Sequence, residues 1–422
     1  MKTDALVVFD DRRARGWEPF AATRPVAFLR FGAWRLAERA QAALDRPLVA
    51  VLAGDGLAGL KEPGMPPVRG YGDPPSEGRR IFLSSRAVPE PLDPDGLPEA
   101  AALTMGGRLV GWVLPDGQSP PAESLGGGTG DRDGEPGVGT SGPDDPLPFP
   151  GQGPTVEIEG EVLDWPWSLM ARNADRLAED LAEDPEFSRG SDPPDEAVVL
   201  GSHPVSTGAD VEIEPGVIFD VRDGPVRLQD GVRVCAFTRV TGPALIGVGS
   251  TLLGGDVGRV TVGRNCKIRG EVADSVIGDF VNKAHDGHLG HAVVGRWVNL
   301  GAGTTNSDLK NSYGSVRVET GSGTVDTGHV KVGSFLGDHV KTGIGTLLPT
   351  GAVVGAGANV FGGGMAPGYT PPFTWRGPEG SAPYDLDRFL TVARRVMARR
   401  QETLSEGEAR VLRRVWTEAQ GG

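Results

Sequence analysis

VNKAHDGHLGHAVVGRWVNLGAGTTNSDLKN, residues Val281 to Asn311, is the stretch around which the chain is organised. Three of the six histidines, His285, His288 and His291, fall within seven residues, and a Gly301-Ala302-Gly303 turn follows soon after. Imidazole titrates nearer neutrality than any other side chain, so a cluster of this kind suits proton transfer. A zinc site needs further Cys or carboxylate ligands at set spacings, which the stretch does not supply, so no metal is assigned. Ordinary surface histidines are the plainer alternative.

The surrounding sequence repeats. Ile246-Gly247, Val262-Gly263, Ile277-Gly278 and Val294-Gly295 recur at intervals of 16, 15 and 17 residues. Between them apolar residues fall six apart, as in Ile246 to Leu252 and Val262 to Ile268. Val332-Gly333 and Val354-Gly355 continue the series after a longer insertion. A period near six with a branched residue beside Gly marks a hexapeptide β-helix. Three short flat strands make one triangular coil; the branched side chain fills the inner corner and Gly lets the backbone turn. One coil cannot bury its own core, so the coils stack. A β-sandwich with frequent Gly turns is the competing reading, and it would show period-two alternation over longer strands.

The run His285-Asp286-Gly287-His288-Leu289-Gly290-His291, followed by Trp297 through Asn311, resembles the acetyltransferase half of the bifunctional bacterial enzymes that make UDP-N-acetylglucosamine. It is closer still to a divergent branch of sugar nucleotidyltransferases that carries HDG-x-LGH and then WVNLGAGTTNS-x-LKN. The resemblance implies an α/β nucleotidyltransferase-like domain followed by a left-handed parallel β-helix and a C-terminal helix. It implies acyl transfer from acetyl-CoA to an amino-sugar phosphate, in grooves between the protomers of a homotrimer. Sugar 1-phosphate nucleotidyl transfer from a uridylyl or thymidylyl donor, with a structural β-helix, is the alternative. By the same resemblance His285 is the general base, Asn299 contacts the sugar, and the backbone around Ala302 and Gly303 meets acetyl-CoA. His288 stands where the acetyltransferases have a sugar-contacting Tyr. Their phosphate-holding Lys falls at Ala273 or Asp274 here, a departure from the pattern. Asp286 is a candidate to orient the His285 ring, provided a loop turns the two side chains the same way.

Before the repeats, Ala5 to Phe9 and Leu48 to Leu52 read as buried strands, with helical character over Ala33 to Leu44. The Gly-x-Gly element that cradles nucleotide phosphates in sugar nucleotidyltransferases is missing. Arg12, Arg13, Arg15 and Arg24 are left to supply charge toward a nucleoside triphosphate, or to form a solvated loop. Arg24-Pro25 matches an element of the divergent branch, which makes Arg24 a substrate-binding candidate. Asp10 and Asp11 are the carboxylates available for Mg²⁺ if this domain is active.

The domains are accordingly drawn as 1–115 α/β nucleotidyltransferase-like, 116–155 disordered linker or insertion, 156–197 helical connector, 198–370 β-helix and 371–422 C-terminal helical tail. The linker is Gly, Pro, Asp and Ser with hardly an apolar residue, too few to offset its ordering entropy. Trp165-Pro166-Trp167 opens a helix running to about Leu181, the tryptophans acting as a packing anchor between domains. Thr374 to Tyr384 is a Pro-rich exit, and apolar spacing from Leu386 onward marks one or two closing helices.

A net charge of -14 over 422 residues argues against a nucleic-acid groove, which would be basic. Two cysteines, Cys235 and Cys266, are too few for a disulfide framework and read as small buried residues. The N-terminal residues lack a signal peptide's apolar core and no run reaches membrane-spanning length, so a cytoplasmic protein without membrane contact is expected.

Overall fold

The computed structural model describes residues 4–125, 153–183, 190–321 and 323–421. β1 (Ala5–Phe9) lies inside a seven-stranded sheet with β2 (Leu48–Ala53), β3 (Val68–Gly70), β4 (Arg80–Ser84), β5 (Ala101–Met105), β6 (Arg108–Leu114) and β7 (Thr155–Glu157). The order is β7-β5-β6-β4-β1-β2-β3, with β1 parallel to both neighbours and β6 antiparallel to β4 and β5. β1 is apolar throughout because both sides of the sheet are covered. Leu6 and Val8 pack toward α1 (Leu36–Leu44), while Val7 and Phe9 pack with Phe82 and Trp112. The helix starts three residues later than its composition suggests. Trp34-Arg35 pairs with Arg30-Phe31 as a short ribbon, and the Glu38 carboxylate accepts the Arg35 N–H.

The expected linker is ordered at both described ends. Leu125 is buried in the Trp112 cluster, and β7 pairs along β5. Residues 126–152, including the Gly126-Gly127-Gly128 run, lie outside the described residues. The connector helix is two helices, α2 (Pro166–Ala171) and α3 (Asn173–Glu183), broken at Arg172. The break gives buried Asn173 to the domain junction, where its carboxamide oxygen accepts from the Gly32 N–H and the Thr261 hydroxyl. Trp165 and Trp167 stack 4.8 Å apart, and Trp167 meets Phe335 of the solenoid edge-on.

From Val198 the chain winds as a parallel solenoid with three faces. Ile246, Val262, Ile277 and Val294 stack in register along the first face, as the repeat requires. The next rung is Leu336, followed by Val354. Val332-Gly333 is therefore out of register with the series, four residues ahead of the rung. The insertion that separates the coils, a hairpin of Arg317–Thr320 and Gly323–Asp326, ends only at Ser334, so Leu336-Gly337 takes the place expected for Val332-Gly333.

Each first-face rung is a pair of apolar residues: Val276-Ile277, Val293-Val294, Phe335-Leu336 and Val353-Val354. The second residue of each pair fills the prism. The first packs outward against Trp17, Phe20, Leu169 and Met170 of the N-terminal domain. At the corner between the first and second faces one residue per coil has left-handed backbone: Asn265, Phe280, Trp297, His339 and Phe373. Phe280 stacks on Trp297 at 4.0 Å, and Phe389 of α4 (Leu386–Ala398) meets the His339 and Phe373 rings edge-on. α4 then follows this corner until Arg400 donates to the Asn265 carbonyl. α5 (Glu406–Gln420) returns onto the N-terminal domain, so both expected closing helices are present. The Pro-rich exit is a hairpin, Thr374–Gly377 with Gly380–Pro383.

A buried ion network ties these parts together. Arg24 donates to both oxygens of Glu62 at 2.8 Å, and Arg296 of the solenoid reaches the same carboxylate at 3.2 Å. Asp338 and Glu408 each lie 3.9 Å from Arg296. Arg24 is only 5% exposed, so its charge is committed to the domain junction rather than offered to a nucleotide. Glu62→Gln leaves two buried guanidiniums short of their shared anion and is expected to destabilise the protein by about 3–5 kcal/mol. Calorimetric unfolding should show the lowered midpoint, and a midpoint equal to wild type would contradict the assignment.

Candidate functional site

The second and third faces of the solenoid carry the polar side chains. Going down the second face, Lys267, Asn282, Asn299, Lys341 and Asn359 point outward in register. Their inward neighbours Ile268, Lys283, Thr342 and Val360 occupy the prism. Going down the third face, Glu271 pairs with His288, Thr305 pairs with Leu347, and Leu347 pairs with Met365. His285 and Asp286 form the corner between these two faces, and Gly301-Ala302-Gly303 forms the same corner one coil on.

His285 is exposed at this corner, with its ring outside the dry interior. Its position is held from below by an unusual residue. Lys283 occupies an inward site and is 2% exposed, but its ammonium leaves the core to donate to the carbonyls of Arg269 (2.7 Å) and His285 (3.0 Å). Burial lowers the Lys283 pKa to about 8, with Asp286 and Glu271 opposing. Gly287 follows with φ +137, and a Cβ there would come within 2.2 Å of the Thr304 carbonyl, so the corner demands glycine. The corner loop does turn Asp286 out of a strand, yet its carboxylate pairs with Arg269 at 3.0 Å instead of orienting the His285 ring.

Asn299 accepts the Asn282 amide N–H at 2.8 Å, which leaves the Asn299 amide nitrogen as a donor on the second face. Of the glycine-flanked turn, the Gly301 N–H goes to Thr342 and the Gly303 N–H to the Asp286 carbonyl. The Ala302 N–H has no acceptor among the described residues, so it is the donor this turn offers to a ligand. Exposed apolar surface follows on the next coils of the same edge: Ile344, Leu347 and Met365.

His288 and His291 lie on the far side of the corner and share a carboxylate that the sequence did not single out. Asp308 accepts from or faces His291 Nδ1 at 2.8 Å and lies 3.7 Å from His288 Nε2, while Glu271 is 3.1 Å from His288 Nδ1. Asp308 is the largest cause of a His288 pKa above the usual value; burial opposes it and Glu271 adds to it. The imidazoles of His288 and His291 in turn hold the Asp308 carboxyl far below the usual range. Gly290 clears the space, since a Cβ there would come within 2.6 Å of both His288 and Asp308 side-chain atoms. Among the described residues no group of three or more His, Cys, Asp or Glu is arranged to hold a metal ion.

In the N-terminal domain, burial pushes the Asp10 pKa up to about 6, against the Val26 and Ala27 N–H groups that its carboxylate accepts. Asp11 caps the turn at Ala14 and takes the Arg86 guanidinium and the Ser84 hydroxyl. Both carboxylates are consumed inside the fold, so as arranged they do not fit a Mg²⁺ ion, which takes oxygens from an open octahedral shell.

Asp308→Asn should lower the melting temperature in a pH-dependent way. The raised His288 pKa means its contribution is full below about pH 6.5 and lost as pH rises through the folded value. The depressed Asp308 pKa means its contribution is present above about pH 3.8 and lost as pH falls. The gap between variant and wild type is therefore widest between about pH 4 and pH 6.5. Thermal melts across that range check this, and a gap independent of pH would contradict it.

Residues 6–184 match the family described as sugar nucleotidyl transferase. The chain is 34% identical over 95 residues to a bifunctional sugar-1-phosphate nucleotidylyltransferase/acetyltransferase of Sulfurisphaera tokodaii, covering 22% of this chain and 24% of that protein. It is 32% identical over 178 residues to the bifunctional protein GlmU of Nitrosospira multiformis, covering 37% and 35%. The matched parts thus span about a quarter to a third of these relatives' own lengths. A UDP-N-acetylglucosamine acyltransferase structure from Campylobacter jejuni aligns over 52% of this chain and 94% of its own, at 15% identity and a TM-score of 0.25. Among the described residues no helix is long and apolar enough to cross a membrane. The chain is thus similar to sugar nucleotidyl transferases over residues 6–184, and a parallel β-solenoid follows that segment.

Proposed function

We propose that the chain is a transferase acting on sugar phosphates, passing an acetyl group from acetyl-CoA to an amino-sugar phosphate at the His285 corner. The observation that carries this reading is an exposed imidazole set between a face bearing Asn299 and a face bearing His288, above the Ala302 turn. The sugar amine attacks the thioester carbonyl while His285 removes its proton. The oxyanion collapses, the C–S bond breaks, and the CoA thiolate takes the proton, leaving an amide and free CoA. A neutral amine is already a competent nucleophile, so one base and good positioning suffice. Ala302 N–H is the donor proposed for the developing oxyanion, in place of the flanking glycines. Asn299 and His288 are proposed to position the sugar.

Exposed Ile344, Leu347 and Met365 along the edge below His285 support a place for the donor's pantetheine arm and for a neighbouring protomer, consistent with a homotrimer. The same reading carries a cytoplasmic location and a role in nucleotide-sugar supply for the cell envelope.

Nucleotidyl transfer is the second reading, and the family match over residues 6–184 favours it. The crevice beyond the carboxyl ends of β1 and β4, where the strand order reverses, is where such a sheet takes ligands. No step through Mg²⁺ is assigned there, because Asp10 and Asp11 are engaged within the fold.

The test is release of free thiol from acetyl-CoA in the presence of glucosamine 1-phosphate. His285→Ala should lower kcat by about 100-fold or more while the oligomer mass stays that of wild type. Wild-type turnover in the variant would reject His285 as the base.

A further inference from the structure

Lys341 stands apart from every other deeply set cation in the described residues. Arg24, Arg39 and Arg86 each meet a buried carboxylate, and Lys283 meets two carbonyls. Lys341 is partly buried on the second face, and no hydrogen-bond or ion-pair acceptor for its ammonium lies among the described residues. Its register partners are the neutral amides Asn299 on the coil above and Asn359 on the coil below. Its neighbour His339 is buried and kept neutral, its pKa lowered by burial and then by Lys341 and Arg296. Burial lowers the Lys341 pKa to about 8, which is the response of an ammonium that has lost water and gained no anion. The face itself lies between the corner covered by α4 and the corner that carries His285.

Successive coils are about 4.8 Å apart, so the amide of Asn299 and the ammonium of Lys341 present donors one rung from each other. The Asn299 amide nitrogen and the Lys341 ammonium, neither with an acceptor among the described residues, are neighbouring donors suited to a tetrahedral anion. We propose that Lys341 and Asn299, with Asn282 holding the Asn299 amide, bind the phosphate monoester of the acceptor on the second face, below the His285 corner. This rests on the acyl-transfer reading for the identity of the acceptor but not for the existence of the anion site. It places the charge recognition of this chain on a face where, among the described residues, no carboxylate pairs with Lys341, whereas Ala273 and Asp274 provide no cation and Asp274 pairs with Arg259.

The experiment is calorimetric titration of the full chain with glucosamine 1-phosphate, inorganic phosphate and glucosamine. Wild type should bind both phosphate probes, and Lys341→Met should weaken both by about tenfold or more, the loss of one charge-assisted contact. Glucosamine should be unaffected by the change, and Lys341→Arg should retain most of the affinity. His285→Ala should bind the phosphate probes as wild type does, so a chain that binds them through Lys341 but transfers no acyl group sinks only the acyl-transfer reading. Four results overturn the anion site: wild type binds neither phosphate probe; Lys341→Met binds them unchanged; both Lys341 variants lose affinity equally through a lowered melting temperature; or Lys341→Met dissociates the oligomer, which would assign the ammonium to a neighbouring protomer's acceptor.

Discussion

Burial of the solenoid's first face from both sides is the constraint on which the rest of the structure depends. Val276, Val293, Phe335 and Val353 turn outward under the N-terminal domain while their chain neighbours fill the prism. Removing apolar surface from water on both sides of one sheet fuses the two domains into a single hydrophobic arrangement. With that face closed, polar chemistry is confined to the other two, and the corner between them is the one farthest from the domain junction. His285 occupies that corner.

The junction is held by charge as well as by apolar contact. Glu62 lies between Arg24 and Arg296, and Arg30 and Arg264 converge on Asp279 close by. Ion pairs of this depth add little net stability over an apolar core, but they penalise any docking that separates the partners. The arrangement therefore fixes how the N-terminal domain sits on the coils and explains why Arg24 is not free to serve a nucleotide.

Three kinds of residue shape the corner. Lys283 sends its ammonium out of the prism to grip the His285 carbonyl, Gly287 permits the backbone turn, and Asp308 gathers His288 and His291 on the third face. The histidine cluster is thus divided by the geometry: one imidazole is exposed and two are tied to carboxylates. Only the first is exposed without a carboxylate partner among the described residues.

The repeat of branched residues beside glycine determined the solenoid without help from tertiary structure, because inward corners tolerate few side chains and the period of six leaves its mark on every coil. β1 and β2 were equally legible, since a strand covered on both sides must be apolar throughout. The registry across the insertion was not, for Val332-Gly333 and Leu336-Gly337 look alike until the hairpin between Arg317 and Asp326 has been placed. Nor could local pattern reveal that Lys283 points inward, that Arg24 belongs to Glu62, or that Asp308 serves two histidines at once. Those facts depend on partners distant in sequence or on which way a rung is turned. Periodicity records how a chain repeats, while the pairing of charges is decided only when the coils and the domain beside them have closed.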